Sequence, residues 1–168
     1  MTPHYRDSAA GEVAIMERGN VIIACTKCRA KNRVPRARLD DHPICGKCRS
    51  PLSLNAQFPA HSVPIRAQAF QQEVLGFPGP VAAMFWTPRC THCHTFTPVF
   101  EQVAREFAGK AKFVTMNIDE SPAMMSQYDI QGSPTVLFFR NSRVVGRIPG
   151  AVPKEHLAYQ LTGMLHGA

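Results

Sequence analysis

The chain has no long apolar run. Nothing approaches 18 consecutive apolar residues, so no membrane span is expected. The longest early run, Val21-Ile22-Ile23-Ala24-Cys25, is too short for the h-region of a signal peptide, and a cytoplasmic chain is expected. Acidic residues are scarce: 12 Asp and Glu stand against 19 Lys and Arg, for a net charge of +7. Tryptophan occurs once, and no Phe, Tyr or Trp lies between Cys25 and Cys48. That stretch lacks the stacking platforms of a single-strand binder. Internal repeats and low-complexity segments are missing too, which sets aside solenoids and compositionally disordered chains. At 168 residues and 45% apolar composition, the chain suits one ordinary domain plus a small one.

The charge is unevenly placed. Residues 25–49 hold Lys27, Arg29, Lys31, Arg33, Arg36, Arg38, Lys47 and Arg49 against Asp40 and Asp41, whereas the stretch from residue 61 onward is nearly balanced. A small basic module reads either as a solvated surface or as a face for nucleic acid or an acidic partner. Without interleaved aromatics, nucleic acid is not the expected partner.

All six cysteines fall in Cys-x-x-Cys pairs: Cys25/Cys28, Cys45/Cys48 and Cys90/Cys93. Sixteen residues separate the first two pairs, the spacing of a zinc ribbon. Two residues between thiolates let one tight knuckle aim both sulfurs at one ion, and a second knuckle completes the tetrahedron. Gly46 inside the second knuckle is expected to supply a positive φ. The intervening segment, polar and broken by Pro35 and Pro43, cannot build a core of its own. Zinc on Cys25, Cys28, Cys45 and Cys48 would therefore carry much of the folding energy, on the order of 10 kcal/mol. The alternative, two structural disulfides, would close strained small rings and suits a secreted chain.

The third pair has another setting. Val81-Ala82-Ala83-Met84-Phe85-Trp86 reads as a buried parallel strand. Phe96, Val99/Phe100, Val103/Ala104 and Phe107 then recur with the period of an amphipathic helix. Cys90 thus falls at a strand-to-helix turn, where free N–H groups and the helix dipole favour a thiolate. Cys93, one turn into the helix, is expected to be less exposed and to act second. A strand at 63–66, a helix at 67–75, a strand at 112–118, a helix opened by Ser121-Pro122 and running to Gln127, strands at 135–140 and 143–148 and a helix at 154–165 complete the pattern. The order predicts an α/β domain with a mixed central sheet covered by helices on both faces. The expected organisation is a flexible leader at 1–20, with Met16 as an alternative start, a zinc ribbon at 21–54, a linker at 55–62 and the α/β domain at 63–168.

Residues from about 63 to 166 resemble thioredoxin. Phe85-Trp86-Thr87-Pro88-Arg89-Cys90-Thr91-His92-Cys93 is similar to that family's active-site strand and turn, Gly132-Ser133-Pro134-Thr135 to its cis-proline loop, and Gly150 to its substrate-loop glycine. With the ribbon in front, and with Asn32-Arg33-Val34-Pro35 and Gly150-Ala151-Val152-Pro153-Lys154, the chain resembles the zinc-binding bacterial subgroup, the thioredoxin-2 type. The resemblance implies a thioredoxin fold and a thiol–disulfide oxidoreductase. Cys90 would attack a disulfide of an oxidised protein substrate, and Cys93 would resolve the mixed disulfide, leaving a redox-active Cys90–Cys93 disulfide for a thioredoxin reductase to recharge. A monomer is expected. Pro134 would be cis beside the dithiol. Trp86 would form a flat wall at the site or simply pack in the core.

Four positions depart from the family pattern. Thr91-His92 replaces Gly-Pro, Arg89 replaces a Trp, Met84 stands where a buried Asp assists the resolving cysteine, and Ser133 replaces a hydrophobic residue before the cis-proline. His92 either stabilises the Cys90 thiolate or is an exposed turn residue, and His94 is expected to face solvent. Without the Asp, the Cys93 proton is expected to leave through water or His92. An oxidase or isomerase for a special partner, or a basic ribbon module on a thioredoxin scaffold, are the rival readings.

Overall fold

A computed structural model describes residues 20–35, 38, 41–52, 58–77 and 79–166. The chain divides into two compact units, residues 1–54 and 55–168. Apart from Asn20, the expected leader lies outside the described residues, as do residues 55–57 of the expected linker.

The first unit is a two-stranded ribbon with two knuckles. Strand β1 (Asn20–Ala24) pairs antiparallel with β2 (Lys31–Pro35), bringing Ala24 opposite Lys31. Its core is Ile23, Val34 and Leu52 with the buried Cys25 and Cys45. Among the described residues, three aliphatic side chains are too few to hold a domain of this size without a staple.

The second unit contains a five-stranded sheet in the order β3-β5-β4-β6-β7. β3 (Val63–Pro64) and β4 (Val81–Trp86) run parallel to β5 (Lys112–Asn117). β6 (Thr135–Arg140) is antiparallel to β4 and to β7 (Arg143–Pro149). Helices α1 (Ala67–Phe70), α2 (Thr91–Glu106), α3 (Pro122–Gln127) and α4 (Lys154–His166) cover the sheet. Strand alternation sorts the core into two layers. Ala82 and Met84 of β4 pack with Phe96, Phe100 and Val103 of α2 and Leu157 and Leu161 of α4. Val81, Ala83 and Phe85 pack with Phe70, Val74, Met124 and Ile130. The expected mixed sheet with helices on both faces is present.

Two elements differ in kind from the sequence reading, and β3 ends at Pro64 rather than at the expected Arg66. The helix after β3 changes to a π-turn at Gln71–Leu75. Phe70 and Val74 still reach the core, because a four-residue apolar spacing suits either geometry. β5 ends at Asn117, and Ile118–Glu120 form a 3-10 turn whose first free N–H, that of Asp119, is capped by the Asn117 side chain at 3.1 Å.

Residues 58–62 lie on the second unit. Phe58 is buried edge-on against Phe77, and its carbonyl accepts from Gly109 N–H. A Cβ on Gly79 would stand 2.7 Å from the Phe58 ring, so only glycine fits there. Ser62 donates from its backbone N–H and its hydroxyl to the Glu101 carboxylate on α2.

Candidate dithiol site and metal centre

Cys90 is the N-cap of α2. A cap residue leaves the helix's first amides unpaired, and here the N–H of Cys93 donates to Cys90 Sγ at 3.0 Å. A donor in that position favours negative charge on the sulfur. On its other side, Cys90 Sγ lies 3.2 Å from the Ser133 carbonyl oxygen, a contact that is a hydrogen bond only when the sulfur carries a proton. Cys90 and Cys93 are joined as a disulfide, with Cα atoms 5.2 Å apart. Cys90 is half-buried, whereas Cys93 is 1% exposed, so access to the bond from outside is through Cys90.

Two loops flank the pair. The Ser133–Pro134 peptide is cis. Pro134 is buried, and its carbonyl accepts from Gly150 N–H at 2.8 Å, which binds the two loops together. Gly150 has φ +80°, a left-handed conformation that side chains disfavour. The Ser133 and Thr87 hydroxyls are 3.3 Å apart, tying the proline loop to the turn that follows β4. Arg89, Thr91 and His92 are exposed around Cys90. Trp86 packs against the core layer of α2 and lines a cleft of about 490 Å³ that Cys93 also lines.

Pro64, Met84, Trp86, Cys93, His94 and Thr97 line this cleft, which continues along α2 to Glu101. Met84 is 1% exposed and puts a thioether where the resemblance would put a carboxylate. Pro98 has no N–H, so the carbonyl four residues earlier, that of His94, loses its helical donor. His94 is not merely solvent-facing. Its ring is exposed, but Nε2 is 3.0 Å from the Pro88 carbonyl oxygen and so folds back over the turn. Local pattern could not place His94, because its partner lies in the loop before the helix. The one local hint was its position in the first helical turn, within reach of that loop.

In the ribbon, two knuckles repeat one hydrogen-bond scheme. Arg29 N–H donates to Cys25 O at 2.8 Å and Arg49 N–H to Cys45 O at 2.9 Å. Cys25 N–H donates to Ala30 O and Cys45 N–H to Ser50 O. The positive φ that the knuckles need falls on Arg29 (57°) and Arg49 (61°), not on Gly46. The Gly46 N–H is instead held by the Asn32 side chain at 2.9 Å. The four sulfurs converge within 4.8 Å of one another, with Cys25–Cys48 and Cys28–Cys45 each 3.6 Å apart. None of the four is disulfide-bonded. Four sulfurs each about 2.3 Å from a common ion would be spaced by about 3.8 Å, so the set fits a tetrahedral zinc. N–H groups point at the sulfurs as well: backbone donors at Cys48 and Lys47 lower the Cys45 thiol to about 6 against the opposing effect of burial. Hydrogen bonding from Ser50 lowers Cys48. Cys28 moves the other way, up to about 11: the Ala30 N–H lowers it, but burial and hydrogen bonding with the other three sulfurs outweigh that.

The family model described as Thioredoxin matches residues 61–163, and that described as Thioredoxin 2, N-terminal, a zinc ribbon, matches residues 24–50. Thioredoxin 1 of a Nostoc species is 41% identical over 92 residues, covering 55% of this chain and 86% of that protein. Thioredoxin of Haemophilus influenzae is 39% identical over 89 residues, 53% of this chain and 83% of that protein. The chloroplastic M-type thioredoxin of Pisum sativum is 38% identical over 94 residues, 56% of this chain and 55% of that protein. The α/β unit with its Cys90–Cys93 disulfide, preceded by the ribbon, therefore belongs to the thioredoxin family and is a thiol–disulfide oxidoreductase of the thioredoxin, disulfide-reductase type.

Proposed function

We propose that the chain reduces disulfides of oxidised proteins by a two-step exchange in which Cys90 attacks and Cys93 resolves. The observation that carries this is the difference between the two sulfurs: Cys90 is reachable at a helix N-cap with an N–H donor at 3.0 Å, and Cys93 is 1% exposed behind it. In the first step Cys90 thiolate forms a bond to one substrate sulfur, and the other substrate sulfur leaves with the electron pair. In the second, Cys93 attacks Cys90 Sγ, the substrate thiolate departs, and the Cys90–Cys93 disulfide remains. Pro134 offers no N–H at the flank of the disulfide, so its neighbours' backbone groups are left to align the incoming chain. Trp86 walls the inner side, and His92 and Arg89 place positive or donor character at the outer side. A thioredoxin reductase recharges the disulfide.

Zinc held by Cys25, Cys28, Cys45 and Cys48 has a structural role in this reading: four thiolates leave no open coordination position. One ion per chain, a monomer, a bacterial source and a place in cytoplasmic electron transport complete the proposal. Four reduced, clustered thiols accord with a reducing compartment. The proposed boundaries are a leader at 1–20, a ribbon at 21–54, a linker at 55–62 and a thioredoxin domain at 63–168.

The test is insulin reduction coupled to a thioredoxin reductase and NADPH. Turnover is expected for the wild type and none for Cys90→Ser. Cys93→Ser should accumulate a covalent adduct on Cys90. Absence of the adduct would refute the division of labour. A second reading, net oxidation or isomerisation of a special partner, is favoured by the exposed Arg89 and His92 beside Cys90. It predicts faster refolding of a scrambled disulfide protein than reduction of insulin.

A further inference from the structure

When Cys93 attacks, its thiol must lose a proton, yet its side chain is 1% exposed. The cleft beside it is the route. Among the groups lining that cleft, Cys93, His94 and Glu101 are the ionisable ones; Ser62, Thr97 and Thr115 are hydroxyls, and Met84, Trp86, Pro64 and Pro98 carry no base. His92 is exposed and does not line it. Both oxygens of Glu101 already accept from Ser62. Glu101 also lies seven residues beyond His94, about 10 Å along the helix.

The geometry points to His94 as the acceptor of the Cys93 proton, an inference that rests on Cys93 being the resolving cysteine. The Pro88 carbonyl can only accept, so His94 Nε2, 3.0 Å away, must carry the ring proton. The neutral imidazole therefore has its lone pair on Nδ1, and the residue that carries it lines the same cleft as Cys93. The proton passes from Cys93 Sγ through the cleft to Nδ1 as the Cys93–Cys90 bond forms and the Cys90–substrate bond breaks. The substrate sulfur leaves with its electron pair, and the proton then goes to that thiolate or to solvent. The turn thus holds the ring in place.

The experiment is stopped-flow reduction of Ellman's disulfide by the full, zinc-loaded chain. The first thionitrobenzoate released reports attack by Cys90 and the second reports resolution by Cys93. His94→Gln keeps an amide donor for Pro88 but has no base. It should slow the second phase about tenfold and leave the first phase within about twofold. Added imidazole should accelerate the second phase of His94→Ala, because the cleft has room for it. Glu101→Gln should resolve at the wild-type rate. A normal second phase in His94→Gln, no rescue by imidazole, or loss confined to Glu101→Gln would each overturn the inference. Cys93→Ser separates the two readings. If it still releases the second thionitrobenzoate, the resolving role of Cys93 fails; if it retains the label while His94→Gln behaves as wild type, only the role of His94 fails.

Discussion

The backbone N–H of Cys93 stands 3.0 Å from Cys90 Sγ, so the residue that ends the exchange also supplies the donor that steadies the sulfur that begins it. The Ser133 carbonyl faces the same sulfur at 3.2 Å and works in the opposite sense, favouring a proton on it. Side chains at the rim decide the balance.

Arg89 and His92 are exposed at that rim, and a cation or donor there favours thiolate. Stabilising the reduced form makes the disulfide the stronger oxidant. The potential should therefore lie above the value of about −270 mV typical of thioredoxin, by on the order of tens of millivolts. Equilibration with glutathione, followed by quantifying reduced Cys90 and Cys93, measures it. His92→Pro should bring it down. A wild-type value at or below the typical one contradicts the assignment of charge effects to these two residues.

Met84→Asp restores a carboxylate at the cleft wall. Resolution of the mixed disulfide should speed up by about tenfold, since a second acceptor joins the route. The same change puts an acid at a position 1% exposed in an apolar layer, which should lower stability by about 2–4 kcal/mol. Stopped-flow and urea titration on the same preparation read both effects. Unchanged resolution would mean that proton loss from Cys93 does not limit the second step.

Removing zinc with a chelator should unfold residues 21–52 and leave the α/β unit standing. The three buried aliphatic side chains among its described residues cannot hold the ribbon alone, and such ions supply on the order of 10 kcal/mol. Calorimetry should lose one transition and keep the other, and insulin reduction by the chelated chain measures what the ribbon adds. Cys45→Ser should reproduce chelation.

Glu73→Gln tests an ion pair between a buried lysine and a partly exposed glutamate. The Lys112 ammonium, with a side chain only 7% exposed, meets the Glu73 carboxylate and carbonyl and lies 4.5 Å above the Phe77 ring. Taking away the negative charge leaves the cation facing only neutral acceptors and one ring face, so stability should fall by about 2 kcal/mol. Lys112→Met, which also removes the charge that needs pairing, should be the milder change. Denaturant midpoints of the two variants decide it.

Much of this architecture was legible because it is local. Val81–Trp86 is apolar throughout and forms a strand over that same span, since a strand buried on both faces needs no alternation. The two ribbon pairs announce themselves by spacing. What escaped the sequence depends on partners far along the chain or on backbone states that composition does not encode. Arginine, not glycine, takes the left-handed positions of the knuckles, because the carbonyls of Cys25 and Cys45 hold those residues in place. The π-turn at Gln71–Leu75 keeps the apolar spacing of an α-helix. His94 reads as an exposed turn residue until Pro88 is brought under its ring.

The alternation of β4 has an evolutionary meaning. Because odd and even positions of Val81–Trp86 belong to different layers, residue 84 always projects toward the helix that carries the dithiol, whatever its identity. A single codon there can exchange a proton acceptor for a thioether without disturbing the opposite layer. The family can thus retune its electron chemistry one side chain at a time on an unaltered scaffold.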